Sequence, residues 1–262
     1  MGTLRQSGAV VEIEPWLYAA LTATGVLTGF IDAIAGGGGL IMMPALLSAG
    51  LPPHLALGTN KLQSAMGTGM SARTYRANGQ YRITGNRLTV LIVFTASACG
   101  ALVVQAIDPA VLAPIIAVLL VVLALYVLLS HRMDDSDRHE RLSPRGYMPV
   151  GGAIGFYDGF FGPGTGSFLT TSLVGLRGLG LTRAAGLAKL FNFTSNAAAL
   201  MMFALGGQVI WLLGLCIGIG SMTGSFLGSH SALRFGARLI RPLLVVSSLA
   251  LTARLLWNYF GS

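Results

Sequence analysis

The sequence predicts an all-α polytopic membrane protein made of two inverted repeats, and it does so through its composition, its long apolar runs and an internal repeat. Of the 262 residues, 53% are hydrophobic and only 10% are charged, whereas a soluble domain carries about 25% charged residues. The runs 88–107, 111–130 and 239–257 are each about 20 residues long, which is the length that crosses a hydrocarbon core roughly 30 Å thick. Several such runs exclude a single membrane anchor.

The two halves of the chain carry the same motifs in the same order. The segment 30–39 reads FIDAIAGGGG and the segment 156–166 reads FYDGFFGPGTG, at an offset of 126. Because further blocks recur at an offset of 128, we interpret the halves as repeats. These blocks are GTNKL at 58–62 with GLAKL at 186–190, and NGQ at 78–80 with GGQ at 206–208.

Each half divides into five apolar elements, of which the second is short and follows a glycine-rich break. The predicted elements are about 16–35, 40–49, 54–74, 86–107 and 110–130 in the first half, and about 147–161, 166–176, 182–204, 208–229 and 238–259 in the second. Each repeat is expected to hold about four full transmembrane helices and one half-membrane helix, as in the discontinuous helices of transporters. The predicted organisation is an N-terminal segment 1–15, a first repeat 16–130, a polar cytoplasmic linker 131–146 and a second repeat 147–262.

The arginines predict how the repeats are oriented. If every element crosses the membrane, each half has an odd number of crossings and the halves lie in opposite orientations. Most arginines then fall on one side, which the positive-inside rule makes cytoplasmic, with both termini outside. If the short elements re-enter the membrane without crossing, the repeats become parallel, and loops with and without arginine share a side. The arginines on the cytoplasmic side are Arg73, Arg76, Arg82, Arg87, Arg132, Arg138, Arg141, Arg145, Arg177, Arg183, Arg234, Arg238 and Arg241.

Four charged residues lie within the predicted spans: Asp32, Lys61, Asp158 and Lys189. The lysines are the only two in the chain, and they occupy equivalent positions in the two copies, as do the aspartates. An ionisable group inside a span is costly and usually faces a partner or a watery cavity. We therefore interpret the lysines as ligands of an anion and the aspartates as candidates for proton coupling. The alternative is an Asp–Lys pair within each half that only fixes helix packing.

Glycines and polar residues complete the predicted substrate site. The breaks expose backbone N–H groups at a helix start, where the partial positive charge favours an anion; the alternative is a sharp turn with close helix contact. The polar side chains can ligate an oxyanion or bond to neighbouring helices. Beyond the lysines, the predicted substrate-binding residues are Gly37, Gly38, Thr59, Asn60, Gln63, Gly164, Thr165, Asn192 and Asn196. By contrast, the spacing of Gly220, Gly224 and Gly228 predicts a ridge for tight helix packing.

Other classes of function find no support in the sequence. The net charge is +8, but the arginines lie in gaps between apolar runs, so we expect no nucleic-acid partner. The histidines lie at or near span ends and Cys99 and Cys216 lie inside apolar runs, so no metal site is expected. We expect no catalytic residues, no enzyme activity and no cofactor. The expected partners are a small anionic substrate and the lipid bilayer, and the oligomeric state stays open.

The first repeat closely resembles the TauE/SafE sulfite exporter family, and a degenerate second copy extends the resemblance over essentially the whole chain. The second copy departs from the family pattern at Pro163 and Thr165 in the glycine stretch. The resemblance implies a multi-pass carrier of the bacterial cytoplasmic (inner) membrane for small sulfur-containing anions, driven by the proton gradient. The segments that carry it are GFIDAIAGGGGL at 29–40, PALL at 44–47, GLPP at 50–53 and ALGTNK at 56–61.

The sequence thus predicts a proton-coupled secondary transporter that exports sulfite or an organosulfonate. A passive anion channel is one alternative, because the same donors can line a pore. The other is a membrane subunit that depends on a soluble partner, with the linker 131–146 as its docking site.

Overall fold

The computed structural model describes residues 5–6, 9–10, 14–108, 110–111 and 142–236. The predicted fifth elements, 110–130 and 238–259, lie outside the described residues except for 110–111. The linker 131–146 lies outside them except for 142–146.

The described secondary structure is helical apart from one short strand pair in the N-terminal segment. There β1 (Arg5–Gln6) pairs antiparallel with β2 (Ala9–Val10). A 3₁₀ turn at Thr84–Asn86 leads into the fourth helix. The helices are α1 (Pro15–Ala35), α2 (Gly38–Ser48), α3 (Pro53–Ala77), α4 (Arg87–Gln105), α5 (Met148–Phe160), α6 (Thr165–Arg177), α7 (Leu181–Leu205) and α8 (Trp211–Phe235).

The predicted elements that fall within the described ranges are helices, and their bounds agree closely with the prediction. The largest difference is at α8, which ends at Phe235 rather than near residue 229. The short helices α2 and α6 have 11 and 13 residues. At a rise of about 1.5 Å per residue these lengths are roughly 17 and 20 Å, well short of a hydrocarbon core of about 30 Å.

Three of the described helical segments are long and apolar enough to cross a membrane. They are Pro15–Ala35, Thr84–Gln105 and Trp211–Phe235. Their outward faces expose large apolar side chains, such as Leu91 on α4 and Ile219 on α8, which are 58% and 62% exposed. Such a surface fits hydrocarbon and not water. Helices α3 and α7 have 25 residues each and are equally long, but they carry the polar residues of both repeats.

Helices pair between the halves and not only within them. Helix α1 packs along α8 and α4 along α5, while α3 and α7 pack against each other. A Cβ added to Gly58 would touch Phe203, and a Cβ added to Gly186 would touch Tyr75. Helices α3 and α7 are therefore antiparallel. The two contacts are also equivalent, because adding the repeat offset of 128 to residues 58 and 75 gives residues 186 and 203.

The predicted glycine ridge on α8 lies directly against α1. Added Cβ atoms at Gly220, Gly224 and Gly228 would lie 2.3, 1.9 and 2.4 Å from backbone carbonyl oxygens of α1. Real Cβ atoms do not approach a carbonyl oxygen this closely, so these positions require glycine for the helices to touch. The packing role predicted for the ridge is confirmed.

Replacing Gly224 by alanine should therefore separate α1 from α8 and lower the free energy of unfolding by about 1–3 kcal/mol. The matched control is Gly175→Ala on α6, where an added Cβ meets nothing within 4 Å and alanine removes the cost of a helical glycine, about 1 kcal/mol. Thermal unfolding of the purified proteins in detergent measures both. Equal unfolding temperatures for the two variants would contradict the close packing.

Candidate functional site

The two glycine-rich breaks contact each other. Gly36 ends α1 in the left-handed conformation, with φ of 76°, and a Cβ on it would lie 2.2 Å from the carbonyl carbon of Gly166 in the second break. The Ser167 hydroxyl donates a hydrogen bond to the carbonyl of Ala35 at 2.7 Å. At Gly36 and Gly166 the glycines thus serve a sharp turn and close backbone contact, which is the alternative that the sequence left open.

Each lysine pairs with the aspartate of the other half. Lys61 Nζ lies 2.8 Å from Asp158 Oδ1 and also donates to the backbone carbonyl of Asp158. Lys189 Nζ lies 2.7 Å from Asp32 Oδ2. Both lysine side chains are only 1% exposed. A pair within each half, the alternative considered from the sequence, is therefore wrong, because both ion pairs cross between the repeats.

The carboxylate of Asp158 is enclosed by hydrogen-bond donors. Besides Lys61, Oδ1 accepts a bond from the Thr165 hydroxyl at 3.1 Å. Its other oxygen, Oδ2, accepts bonds from the Asn192 amide at 3.0 Å and from the Ser195 hydroxyl. The side chain is 1% exposed. Because both oxygens accept hydrogen bonds, the negative charge of this buried carboxylate is well compensated.

The carboxylate of Asp32 has fewer partners. Its Oδ1 accepts a long hydrogen bond of 3.3 Å from the Gly38 N–H, and its Oδ2 accepts a hydrogen bond from Lys189 Nζ. Within the described part of the chain, no other group donates a hydrogen bond to it. The repeat offsets explain the difference, since Thr165 and Ser195 correspond to glycines in the first copy. The Asp32 side chain is 18% exposed. The two ion pairs are therefore related by the repeat but differ in their surroundings.

A small polar cavity lies between the ion pairs. This central cavity is defined by Asp32, Lys61, Ser64, Asp158, Asn192 and Asn196, and has a volume of about 20 Å³. A water molecule needs at least about 10–15 Å³ measured in this way. The central cavity thus has room for a single water and not for an oxyanion of four or more heavy atoms, so the conformation is closed.

A second cavity of about 10 Å³ adjoins the first on the side of Asp32. This side cavity is defined by Asp32, Thr28, Gln63, Ser64, Thr68 and Ser221. Asp32, Ser64 and Thr68 line both cavities. The Asp32 carboxylate therefore stands where the two polar spaces meet.

Most of the predicted site residues lie at these cavities. Asn60, Gly164, Thr165, Asn192 and Asn196 line the central cavity, and Gln63 and Gly38 line the side cavity. Thr59 lies elsewhere, and its hydroxyl accepts the backbone N–H of Ile210 at the start of α8. Gly37 precedes α2 and lines neither cavity. Lys189 is covered by Asp32 and does not line the central cavity.

Five polar side chains of this site are not among the predicted site residues. Ser195 bonds to Asp158, Thr28 and Ser221 line the side cavity, and Ser64 and Thr68 line both cavities. Ser195 lies three residues beyond Asn192 and thus on the same helix face, which was a usable signal. Ser221 lies on α8, outside the motifs that the two halves share, and the contact of α8 with α1 and α3 brings it to Asp32.

A larger cavity of about 520 Å³ lies among the loops. Its lining includes Arg82 from the loop between α3 and α4, Arg177 at the end of α6, Arg183 in the first turn of α7, and Pro144 near the end of the linker. Three arginine-bearing parts of the chain therefore meet on one side of the protein.

The family Sulfite exporter TauE/SafE matches residues 21–255. The chain belongs to the TauE/SafE family. The resemblance found in the sequence is thereby confirmed, and this TauE/SafE protein is a membrane protein.

Relatives named as transporters cover nearly the full length of this TauE/SafE chain. A "Probable membrane transporter protein" of Haemophilus influenzae is 44% identical over 244 residues, which cover 92% of this chain and 95% of the relative. The "Probable membrane transporter protein YfcA" of Escherichia coli K12 is 41% identical over 251 residues, covering 95% and 93%. The "Probable membrane transporter protein ORF9" of a Sinorhizobium species is 42% identical over 241 residues, covering 92% of each chain. No solved structure gives a significant match.

The crossed pairing predicts how charge-neutralising substitutions combine. Lys61→Met leaves Asp158 as a buried unpaired charge and should cost about 3–5 kcal/mol of stability. Adding Asp158→Asn should recover much of that loss, because it removes the unpaired charge.

The matched control is Lys61→Met with Asp32→Asn, which neutralises the aspartate of the same half and should recover nothing. Unfolding temperatures in detergent compare the two double variants. Recovery by Asp32→Asn and not by Asp158→Asn would show that the pairs lie within the halves.

Proposed function

We propose that this protein is a proton-coupled secondary transporter that exports a small sulfur-containing anion, sulfite or an organosulfonate, across the bacterial cytoplasmic membrane as a multi-pass protein. The observation that carries the proposal is the pair of crossed Asp–Lys bridges at the two helix breaks, enclosing a polar cavity between apolar helices. Ionisable groups inside membrane helices are typical of transport pathways. Broken helices that bound a site between two repeats are typical of secondary transporters.

We infer further that the repeats are inverted. The equivalent helices α3 and α7 run antiparallel, as expected for two copies of opposite orientation. The loop cavity supports the same arrangement, because it joins Arg82 of the first half to Arg177 and Arg183 of the second. With inverted repeats these loops lie on the cytoplasmic side, as the positive-inside rule requires.

The chemistry of the site favours a small oxyanion. Lysine ammonium groups, side-chain amides and hydroxyls are donors that bind the oxygens of sulfite and sulfonates. The central cavity lies between Lys61 and the amides of Asn60, Asn192 and Asn196. Its walls are nearly all polar, which leaves no apolar pocket for a large hydrocarbon substituent. The family description, sulfite exporter, agrees with this substrate class.

The substrate class is tested by thermal shift of the purified protein with sulfite, thiosulfate, methanesulfonate and acetate. An oxyanion of sulfur that binds should increase the free energy of unfolding by about RT ln(1 + [L]/Kd) and thereby raise the unfolding temperature. Acetate at equal concentration should raise it less. An effect of acetate that equals or exceeds every sulfur anion would contradict the proposed class.

The two lysines are tested in proteoliposomes. Lys61→Ala and Lys189→Ala should each reduce anion transport to the level of empty liposomes, because each removes a cation from the site and leaves an unpaired aspartate. The matched control is Arg87→Ala, which removes an exposed cation at the start of α4 and should leave transport unchanged. Full transport by both lysine variants would exclude their role.

The same proteoliposomes separate a carrier from a channel. The closed central cavity, with room for about one water, favours a carrier whose site opens to one side at a time. An imposed proton gradient should therefore drive the anion to a concentration above that on the other side. Movement that stops at equal electrochemical potential under every proton gradient would identify a passive channel.

A further inference from the structure

We propose that Asp32 binds a proton when Lys189 binds the anion, so that proton and anion cross the membrane together in the same direction, while Asp158 stays ionised throughout. This inference rests on the proposed anion transport and assigns its coupling to one residue. Three observations carry it: the charge balance of the site, the unequal surroundings of the two carboxylates, and the position of the side cavity.

The charges at the site already balance without a substrate. Lys61 and Lys189 contribute two positive charges, and Asp32 and Asp158 contribute two negative charges, all within the two ion pairs. An anion that entered this site alone would leave one buried negative charge without compensation, which is strongly unfavourable. A proton that arrives with each monovalent anion restores the balance.

Asp158 is unsuited to receive that proton. Four side chains donate to its two carboxylate oxygens, from Lys61, Thr165, Asn192 and Ser195. Protonating Asp158 would cost at least one of these bonds in a site with 1% exposure. The Asp158–Lys61 pair is therefore a fixed part of the helix packing.

Asp32 has the opposite properties. It has two donors, one of them a backbone N–H at 3.3 Å, and it is accessible from two cavities. The titratable and charged groups that face it are Lys189 from α7 and Tyr75 from α3, with Lys61 and Asp158 across the central cavity. Of the two carboxylates, Asp32 can thus lose its lysine partner with the smaller loss of hydrogen bonds.

The side cavity is a second polar space at Asp32, and Asp158 does not line it. Gln63 and Ser221 line it with polar side chains, and Ser221 is only 3% exposed. A Cβ added to Gly29 would touch the backbone of Ser221, and one added to the equivalent Gly155 would touch the backbone of Val93, so Val93 is the counterpart of Ser221 in the other half. Phe191 likewise replaces Gln63. The repeat therefore has apolar residues, Val93 and Phe191, at the positions equivalent to the polar Ser221 and Gln63 of the side cavity.

The proton step balances in atoms and charge. Hydronium in the side cavity transfers its proton to a carboxylate oxygen of Asp32, forming an O–H bond and leaving water. The ion pair with Lys189 breaks, Lys189 keeps its own three protons, and its ammonium group binds the anion from the central cavity. Release on the other side reverses both events. Export then moves no net charge and carries protons outward, so it runs on the concentration gradient of the anion and not on an inward proton gradient, which is the driving force that the family resemblance implies.

The decisive measurement uses the unmodified protein in proteoliposomes with a pH-sensitive dye and labelled methanesulfonate. Sulfite itself gains and loses protons near neutral pH, whereas a sulfonate stays ionised, so any proton that moves is carried by the protein. We expect about one proton to accompany each sulfonate in the same direction, with a flux that the membrane potential does not alter.

Binding provides a second measurement that needs no transport. The affinity of the unmodified protein for methanesulfonate should fall by about tenfold for each unit of pH increase, because binding takes up one proton. Asp32→Asn, which carries no ionisable group, should bind with little dependence on pH. Asp108→Asn is the matched control, since Asp108 is exposed and lies outside both cavities; its pH dependence should equal that of the unmodified protein.

Protons that move against the anion, or a sulfonate flux without protons, would overturn the inference while leaving anion transport intact. An Asp32→Asn variant that retains the full pH dependence would overturn the assignment to Asp32. If the unmodified protein moved none of the anions tested, the proposed function itself would fail.

Discussion

The structure depends on two buried ion pairs that each join one half of the chain to the other. A lysine or an aspartate alone inside an apolar helix is strongly unfavourable. Among the described residues, the carboxylate that pairs with Lys61 is on α5 and the one that pairs with Lys189 is on α1. The helix breaks provide that reach, because Gly36 and Gly166 let the two backbones touch. Neither half can therefore satisfy its charges without the other.

The same repeat that creates two equivalent ion pairs allows them to diverge. Thr165 and Ser195 surround Asp158 with hydroxyl donors, whereas glycines occupy the corresponding positions near Asp32. The Asp158 carboxylate is thus surrounded by four side-chain donors and is 1% exposed, whereas the Asp32 carboxylate has two donors and is 18% exposed.

Periodicity and self-similarity predicted the helices and most of the cavity residues, because hydrophobic length and internal repetition are properties of the sequence itself. They did not predict which aspartate meets which lysine. That pairing depends on how α1, α3, α5 and α7 are placed against one another in the fold, and nothing in a linear motif encodes it. For the same reason the sequence predicts Thr59, a residue of the family motif, for the substrate site, although its hydroxyl accepts a hydrogen bond from the Ile210 N–H. The sequence does not predict Ser221 for the site.

The crossing of the ion pairs also sets an order for biogenesis. During synthesis α1 and α3 are made before α5 and α7, so Asp32 and Lys61 have no ion-pair partners during that interval. Helix α3, with its buried polar residues, cannot settle as an independent apolar span during that interval. The first half thus cannot form either of its ion pairs until the second half is translated.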